Sequence, residues 1–369
     1  VDGPVFDPRP DPLARRIAYV SGPQLRIAEL DGSSRPLAGV DEPATVSWGS
    51  ADFVAAEEMH RFRGYWWSPD GTTIAACRVD TAPVDQWTIA DPAHPDRPAT
   101  TTRYPAAGAD NPDVTLHLLE LDGSRTPVEW DRDFFPYLAA VDWTAQGLIL
   151  LVQSRDQQGT MVLRVDTSDG ATRGDTAVLS HDFDDAWVEL VPGTPALLSD
   201  GRLVTTADRD GVRRLLIDGE AVTPTDVQVR SVIDAGDAVH FQANPIDDAT
   251  QLHVWRWSDH DGARSLTSDR VGVSSAAIGG DVAVIRSATL DDPPTTVVHA
   301  HEQRHHIRSF AEVPLVAPGV DLFEAGERRL ATAVLLPRDH DGSPLPVLLD
   351  PYGGPHALRV QRSRNAFLT

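Results

Sequence analysis

Residues 25–32 read Leu-Arg-Ile-Ala-Glu-Leu-Asp-Gly, in which the apolar Leu25 and Ile27 flank the polar Arg26 and the stretch ends in a tight-turn dipeptide. A period of two places the apolar side chains on one face, which is typical of a half-buried β-strand. The closing Asp-Gly suits a hairpin turn, because both residues tolerate positive φ. This stretch therefore predicts one arm of an antiparallel sheet.

The same pattern recurs along the chain. Further strand-like runs are Arg16–Val20, Val114–Leu118, Met161–Val165 and Leu252–Trp257. Asp-Gly dipeptides recur at Asp31, Asp70, Asp122, Asp169, Asp200, Asp210, Asp218 and Asp261. Without Asp200 and Asp210, the steps of this series are 39, 52, 47, 49 and 43 residues. A period of about 40–50 residues with several strands per unit indicates an all-β β-propeller. A β-sandwich is the alternative, which 300 residues of evenly spaced hairpins disfavour.

Composition limits the classes of function. The 369 residues carry a net charge of −23 and are 41% hydrophobic with nine Trp, which excludes a disordered chain. The length allows two domains or one large repetitive domain. A strongly negative surface makes nucleic acid an unfavourable partner and a cationic ligand a favourable one. No apolar stretch approaches the roughly 20 residues of a membrane span.

Several common sites are absent from the sequence or weakly supported. Cys77 is the only cysteine, which excludes thiolate clusters, and its strand-like surroundings predict a small buried side chain. Residues 301–305 fit the zinc pattern H-E-x-x-H, but β-branched flanks and the absence of a helical stripe predict a polar hairpin tip. No G-x-S-x-G elbow and no phosphate-binding loop occur. Neither a metal nor an organic cofactor is implied.

The most informative stretch is residues 52–71, Asp-Phe-Val-Ala-Ala-Glu-Glu-Met-His-Arg-Phe-Arg-Gly-Tyr-Trp-Trp-Ser-Pro-Asp-Gly. Phe53 to Glu58 reads as a short helical insertion that interrupts the strand pattern just before a Trp-Trp strand. Two further segments are distinctive, Tyr104–Pro112 (Tyr-Pro-Ala-Ala-Gly-Ala-Asp-Asn-Pro) and Leu348–Pro355 (Leu-Leu-Asp-Pro-Tyr-Gly-Gly-Pro).

Together these three segments, in this order, resemble the dipeptidyl peptidase IV family of serine peptidases, within the prolyl oligopeptidase clan. In that family an eight-bladed propeller covers an α/β-hydrolase domain. The resemblance implies that residues 1–315 form a propeller that lacks its N-terminal part, with about seven of eight blades present. It also implies that residues 316–369 are the truncated start of the hydrolase domain, where residues 330–337 and 346–350 are predicted to be strands.

The resemblance also implies roles for individual residues. Glu57 and Glu58 match the pair that binds the free α-ammonium of the substrate, a cation that relieves the repulsion between two carboxylates. Arg61 is expected to orient one of these carboxylates, with a surface salt bridge as the alternative. Tyr352 matches the tyrosine that helps stabilise the tetrahedral oxyanion, with simple packing under a Gly-Gly loop as the alternative. The family's catalytic Ser, Asp and His lie downstream of Tyr352, so the printed chain is expected to lack them.

The predicted function is therefore the substrate-gating and N-terminus-recognising part of a dipeptidyl peptidase that releases X-Pro or X-Ala dipeptides. Its expected partners are a peptide with a free N-terminus and, since family members often dimerise, a second copy of the chain. The alternatives are an oligopeptidase or acylaminoacyl peptidase of the same clan, and a non-catalytic propeller that binds proteins.

Overall fold

The computed structural model describes residues 3–301, 303–312, 314–315, 319–354 and 357–367. Almost all of its regular structure is β-strand, and every named strand pair is antiparallel. The chain divides into two compact units, Val1–Leu190 and Val191–Thr369. Among the described residues, no helix is both long enough and apolar enough to cross a membrane.

The first unit contains three large sheets. The first sheet consists of β1 (Phe6–Pro10), β2 (Arg16–Ser21), β3 (Gln24–Glu29) and β4 (Ser34–Ala38). The second consists of β5 (Val46–Trp48), β6 (Tyr65–Trp67), β7 (Thr73–Asp80), β10 (Asp113–Glu120) and β11 (Arg125–Val128). The third consists of β12 (Tyr137–Thr144), β13 (Gly147–Gln153), β14 (Gly159–Val165) and β15 (Thr176–Phe183).

Two insertions interrupt the second sheet. The helical insertion, residues 51–62 between β5 and β6, contains the helix α1 (Phe53–Glu58). The hairpin insertion, residues 81–112 between β7 and β10, contains β8 (Gln86–Ile89) and β9 (Thr100–Arg103), which pair only with each other.

The second unit repeats the pattern of consecutive hairpins. Its large sheets are β16 (Ala196–Leu197), β17 (Leu203–Arg209), β18 (Val212–Ile217) and β19 (Glu220–Ala221); β20 (Val227–Ala235), β21 (Val239–Pro245), β22 (His253–Ser258) and β23 (Gly262–Ser265); and β24 (Val273–Gly279), β25 (Val282–Ala288), β26 (Thr295–Ala300) and β27 (Gln303–Ile307). A separate hairpin of β28 (Val320–Ala325) and β29 (Leu330–Leu335) follows, and then a 3₁₀ turn at Arg364–Phe367.

Within the first unit, consecutive sheets pack face to face, and β7 shows how the sequence permits this. Ile74 and Ala76 on one face of β7 join the core shared with the first sheet. Ala75, Cys77 and Val79 on its other face join the core shared with the third sheet. A strand buried on both faces reads as a continuous apolar run, which explains why residues 74–77 contain no polar side chain. Cys77 is fully buried, as predicted.

The Asp-Gly turns behave as their chemistry predicts. Each one connects two paired strands, and each glycine has positive φ. Asp210 and Asp218 also have positive φ, while Asp31 and Asp122 instead accept a hydrogen bond from the backbone N–H two residues later, at 2.8 Å each. The first arrangement depends on the tolerance of aspartate for left-handed backbone, and the second on its short side chain as a hydrogen-bond acceptor. The all-β fold of consecutive hairpins is thereby confirmed.

The described residues form six large sheets, whereas division of the roughly 310 residues of the predicted propeller by about 45 residues per blade predicts about seven. Asp31 and Asp122 each lie in the turn between the last two strands of a sheet, and 91 residues separate them. Asp70 lies between them in the β6–β7 turn of the same sheet that contains Asp122. The two insertions therefore make one long unit resemble two, because a turn dipeptide does not reveal which strands pair.

The region after the sixth sheet agrees with the sequence only in part. A hairpin covers the predicted strand at residues 330–337, but residues 346–350 form no strand, and Leu348 is 94% exposed. No described strand lies beside residues 346–350 to pair with them, and an apolar run needs such neighbours to form a buried sheet. The domain boundary at residues 315/316 stays a prediction.

Candidate functional site

The helix α1 owes its start to Asp52. The backbone of Asp52 is extended (φ −72°, ψ 165°), and its Oδ2 accepts a hydrogen bond from the Ala55 N–H at 3.1 Å. This is the usual N-cap arrangement, in which a short polar side chain satisfies one free N–H of the first turn. The helix ends at Met59, and His60 has a left-handed backbone with φ 54°.

Six residues are too few for a helix to persist by itself in water, so packing must hold α1 in place. Ala55 and Met59 are buried against Ala139 of β12. Half-buried Ala51, Val54, Tyr137, Leu151 and Leu190 pack around this cluster. The two ends of the insertion also meet, since Ser50 and Arg63 form a β-bridge and a Cβ on Gly64 would lie 2.4 Å from the backbone of Gly49. The helix is therefore fixed at both ends and along its underside.

The carboxylate pair, Glu57 and Glu58, lies in the last turn of α1, between the buried Ala55 and Met59. Both side chains are exposed. Within the described residues neither carboxylate has a hydrogen-bond or ion-pair partner, and the last turn contains no basic side chain. Negative charge at the C-terminal end of a helix is unfavourable, by about 0.3–1 kcal/mol per group. The pair is thus fixed in place but not neutralised by the protein.

Arg61 is buried beneath the helix rather than paired with a glutamate. Its Nη2 donates to Asp52 Oδ1 at 3.1 Å, and its Nε donates to the Leu138 carbonyl at 2.9 Å. Its Nη1 donates to the Arg63 carbonyl at 2.9 Å and contacts Cys77 Sγ at 3.6 Å. The alternative of a surface salt bridge is corrected, because the Arg61 side chain is buried. Among the described residues Arg61 contacts neither glutamate, and its part in orienting them stays a prediction. A desolvated guanidinium requires a buried partner, and Asp52 supplies it.

Burial affects the one thiol near this guanidinium. Desolvation raises the pKa of Cys77, and the neighbouring Arg61 lowers it only in part. A thiol with a raised pKa is a poor nucleophile. Cys77 is therefore a packing residue.

The segment Tyr104–Pro112 contacts the helical insertion. The Phe53 and Tyr104 rings meet edge to face with centroids 5.3 Å apart, and Trp87 of β8 lies 5.8 Å from Tyr104 in the same way. Asn111 Nδ2 donates to the Tyr137 hydroxyl at 3.0 Å, beside the cluster that holds Met59. Two of the three segments that carry the family resemblance therefore meet in space.

Tyr352 belongs to the second unit, where its side chain is 43% exposed. The guanidinium of Arg359 lies 5.8 Å from its ring centroid. A Cβ on Gly354 would come within 2.8 Å of the tyrosine hydroxyl, so the glycine leaves space for the phenol. Its part in oxyanion stabilisation stays a prediction.

The H-E-x-x-H pattern lies in the β26–β27 hairpin. His301 is in the turn, with φ 47°, and His305 is an exposed strand residue. Glu302 lies outside the described residues. A zinc site of this type needs both histidines on one helical face, and the strand at residues 303–307 excludes that geometry. The predicted hairpin tip is confirmed.

A family model described as "Dipeptidyl peptidase IV (DPP IV) N-terminal region" matches residues 2–285, well over half of the chain. The chain belongs to the dipeptidyl peptidase IV family. The family resemblance is thereby confirmed, and the matched residues include two of the three segments, at residues 52–71 and 104–112.

Relatives in this family are long proteins of low identity. Dipeptidyl peptidase 4 of Arthroderma otae is 23% identical over 399 residues, covering 96% of this chain and 50% of that protein. Probable dipeptidyl-aminopeptidase B of Coccidioides posadasii is 25% identical over 252 residues, covering 61% and 27%. Human dipeptidyl peptidase 8 is 35% identical over 133 residues, covering 30% and 15%. The chain spans about half or less of these relatives.

The crystal structure of Porphyromonas gingivalis dipeptidyl peptidase 4 matches this chain with a TM-score of 0.79 at 19% identity. The match covers 98% of this chain and 55% of that one. It shows the fold, a β-propeller of the dipeptidyl peptidase IV type.

Asp52 is the functional candidate that the sequence reasoning missed. A visible signal was available, because an aspartate directly before a predicted helix is a typical N-cap. Its second bond, to Arg61, could not be read from the sequence because the arginine has several carboxylates within similar reach along the chain.

Proposed function

We propose that this chain contains the part of a serine dipeptidyl peptidase that gates access and recognises the free N-terminus of the substrate. The peptidase would release X-Pro or X-Ala dipeptides. The observation that carries the proposal is the carboxylate pair, held by buried residues on both sides and left without a cationic partner among the described residues. The names of the relatives, all dipeptidyl peptidases or a dipeptidyl-aminopeptidase, support it.

A peptide ammonium matches the pair chemically. It has three N–H donors, and each charge-assisted hydrogen bond to a carboxylate contributes about 1.5–3 kcal/mol. Neighbouring helix positions point about 100° apart. Because glutamate side chains are long, two adjacent carboxylates can still accept hydrogen bonds from one ammonium that lies between them. A peptide with a blocked N-terminus has no charge to offer, which makes the site selective for exopeptidase substrates.

The remaining steps are assigned by family membership. We propose that the Tyr352 hydroxyl donates a hydrogen bond to the oxyanion of the tetrahedral intermediate. Acyl transfer would be performed by a Ser-His-Asp triad, for which we propose no residue in this sequence. Arg61 contributes to substrate binding only through its effect on the helix that carries the pair.

The test measures hydrolysis of an Ala-Pro-p-nitroanilide and its N-acetylated form by the full-length protein. Removing the charges with Glu57→Gln and Glu58→Gln should lower kcat/KM for the free-amine substrate by about 10- to 100-fold per carboxylate, the loss of one charge-assisted bond each. Glu42→Gln, which changes a carboxylate already paired with Arg78 and Arg125, is the matched control.

Other outcomes identify the alternatives. Equal hydrolysis of the free and acetylated substrates, unchanged in both glutamine variants, would favour an oligopeptidase or acylaminoacyl peptidase. Absence of any hydrolysis by the full-length protein, with Tyr352→Phe behaving identically, would favour the non-catalytic binding module.

We also propose that the hairpin insertion contributes to a homodimer. β8 and β9 pair only with each other, and Trp87 and Ile89 of β8 are 51% and 60% exposed. A two-stranded hairpin is marginal by itself in water, and a second copy of the chain would cover these apolar side chains.

A further inference from the structure

Asp52 and Arg61 bracket the helix that carries the carboxylate pair. Asp52 immediately precedes α1, and Arg61 follows its last residue by three positions. Their side chains are only 7% and 5% exposed, and Asp52 Oδ1 lies 3.1 Å from Arg61 Nη2. The Arg61 N–H also donates to the Ala55 carbonyl at 2.9 Å. The ion pair therefore closes residues 52–61 into a loop, with Glu57 and Glu58 inside it.

The same ion pair connects this loop to two sheets. Arg61 Nε donates to the Leu138 carbonyl on β12 of the third sheet, and Nη1 contacts Cys77 on β7 of the second. Asp52 Oδ2 meanwhile caps the helix through Ala55. A planar guanidinium has donors in fixed directions, so these partners together define where the helix lies. Movement of the helix relative to either sheet would break at least one of these bonds.

The ion pair also has an electrostatic effect. Arg61 is the nearest cation to the carboxylate pair along the chain on its C-terminal side, and a free guanidinium could neutralise either glutamate. Asp52 instead balances its charge inside the protein, where both groups are desolvated and the attraction is strongest. The negative charge of Glu57 and Glu58 is thereby left available for a ligand.

We infer that Asp52 and Arg61 are positioning residues that set the geometry and the net charge of the ammonium-binding pair. This inference rests on the proposed function of Glu57 and Glu58. It assigns the selectivity for a free amine to four residues rather than two, although Asp52 and Arg61 do not touch the substrate.

The decisive variant replaces both members of the ion pair, Asp52→Asn with Arg61→Met. Asparagine is an equally good N-cap, and removing both charges avoids an unpaired buried ion, which keeps the protein folded. We expect KM for Ala-Pro-p-nitroanilide to rise on the order of tenfold, the effect of a binding group displaced by a fraction of an ångström to one ångström. The value of kcat should stay within about twofold, because the acyl-transfer groups are untouched. Arg61→Lys should recover only part of KM, since an ammonium cannot reproduce the fork of bonds.

The control removes another aspartate–arginine pair in the same unit, Asp11→Asn with Arg15→Met. Arg15 Nε donates to Asp11 Oδ2 at 3.0 Å, and the Asp11 side chain is fully buried. This pair lies in the β1–β2 loop, so KM should remain at the wild-type value. Thermal unfolding of both double variants, followed by circular dichroism, measures how far stability alone has changed.

The inference is overturned if the Asp52–Arg61 double variant keeps wild-type KM and the wild-type ratio of free to acetylated substrate. If the Glu57 and Glu58 variants still lose activity in that case, the proposed function survives without it. If neither set of variants changes KM, both proposals are wrong.

Discussion

The two insertions of the second sheet differ in how they are held. The helical insertion has a buried ion pair, two buried apolar side chains and a β-bridge at its base. In the hairpin insertion every residue of β8 is exposed, and Arg103 contacts the carbonyls of Ala82 and Val84 at its base. The first is built to hold side chains at fixed positions, and the second presents apolar surface that the described residues leave uncovered.

The two insertions differ in whether they can support recognition of a small cation. Two carboxylates select an ammonium only if their positions are maintained before it binds, because ordering them afterwards would consume binding energy. A marginal hairpin cannot provide that order by itself. The helical insertion can, although it contains only one and a half turns of helix.

The largest effect should come from breaking the buried ion pair on one side. Arg61→Met leaves Asp52 desolvated and without its cationic partner, which destabilises a protein by about 3–5 kcal/mol. Urea unfolding measures the loss in the free energy of unfolding. The matched variant Arg103→Met, at the base of the hairpin insertion, should lower that free energy by less than about 1 kcal/mol. Equal losses in the two variants would remove the distinction between the insertions.

A smaller difference should separate two large apolar side chains. Met59→Ala opens a cavity beneath the helix and should destabilise the protein by about 2–3 kcal/mol. Trp87→Ala on the exposed hairpin should change stability by no more than about 0.5 kcal/mol.

Trp87→Ala also tests the proposed dimer. Sedimentation velocity of the wild type and the variant should show weaker self-association in the variant while Met59→Ala leaves the assembly unchanged. A wild-type protein that is monomeric at all concentrations would contradict the dimer proposal.

The smallest effect should be a gain. Neutralising the carboxylate pair with Glu57→Gln and Glu58→Gln removes two negative charges from the C-terminal turn of α1, which should stabilise the free protein by about 0.3–1 kcal/mol per group. A rise in Tm together with the loss of free-amine activity is the pattern of a site selected for binding rather than stability. A fall in Tm would show that the glutamates have a structural role.

Much of the fold could be predicted because its signals are local. The turn at Asp31 and the strand before it follow from residues that are neighbours in the sequence. The helical insertion was predicted for the same reason, and so was the hairpin tip at His301. The Asp-Gly spacing could not show that Asp70 and Asp122 belong to one sheet, because strand pairing joins residues far apart in the chain, such as Leu116 and Cys77.

Local sequence patterns predicted most strands and turns of the large sheets, and the family resemblance selected the two glutamates. The tertiary structure decided that Arg61 pairs with Asp52 and that the glutamates remain without a partner among the described residues. The physical reason is desolvation. A buried charge pairs with the opposite charge that the fold buries beside it. Which groups are buried together depends on the packing of sheets whose strands are dozens of residues apart in the sequence.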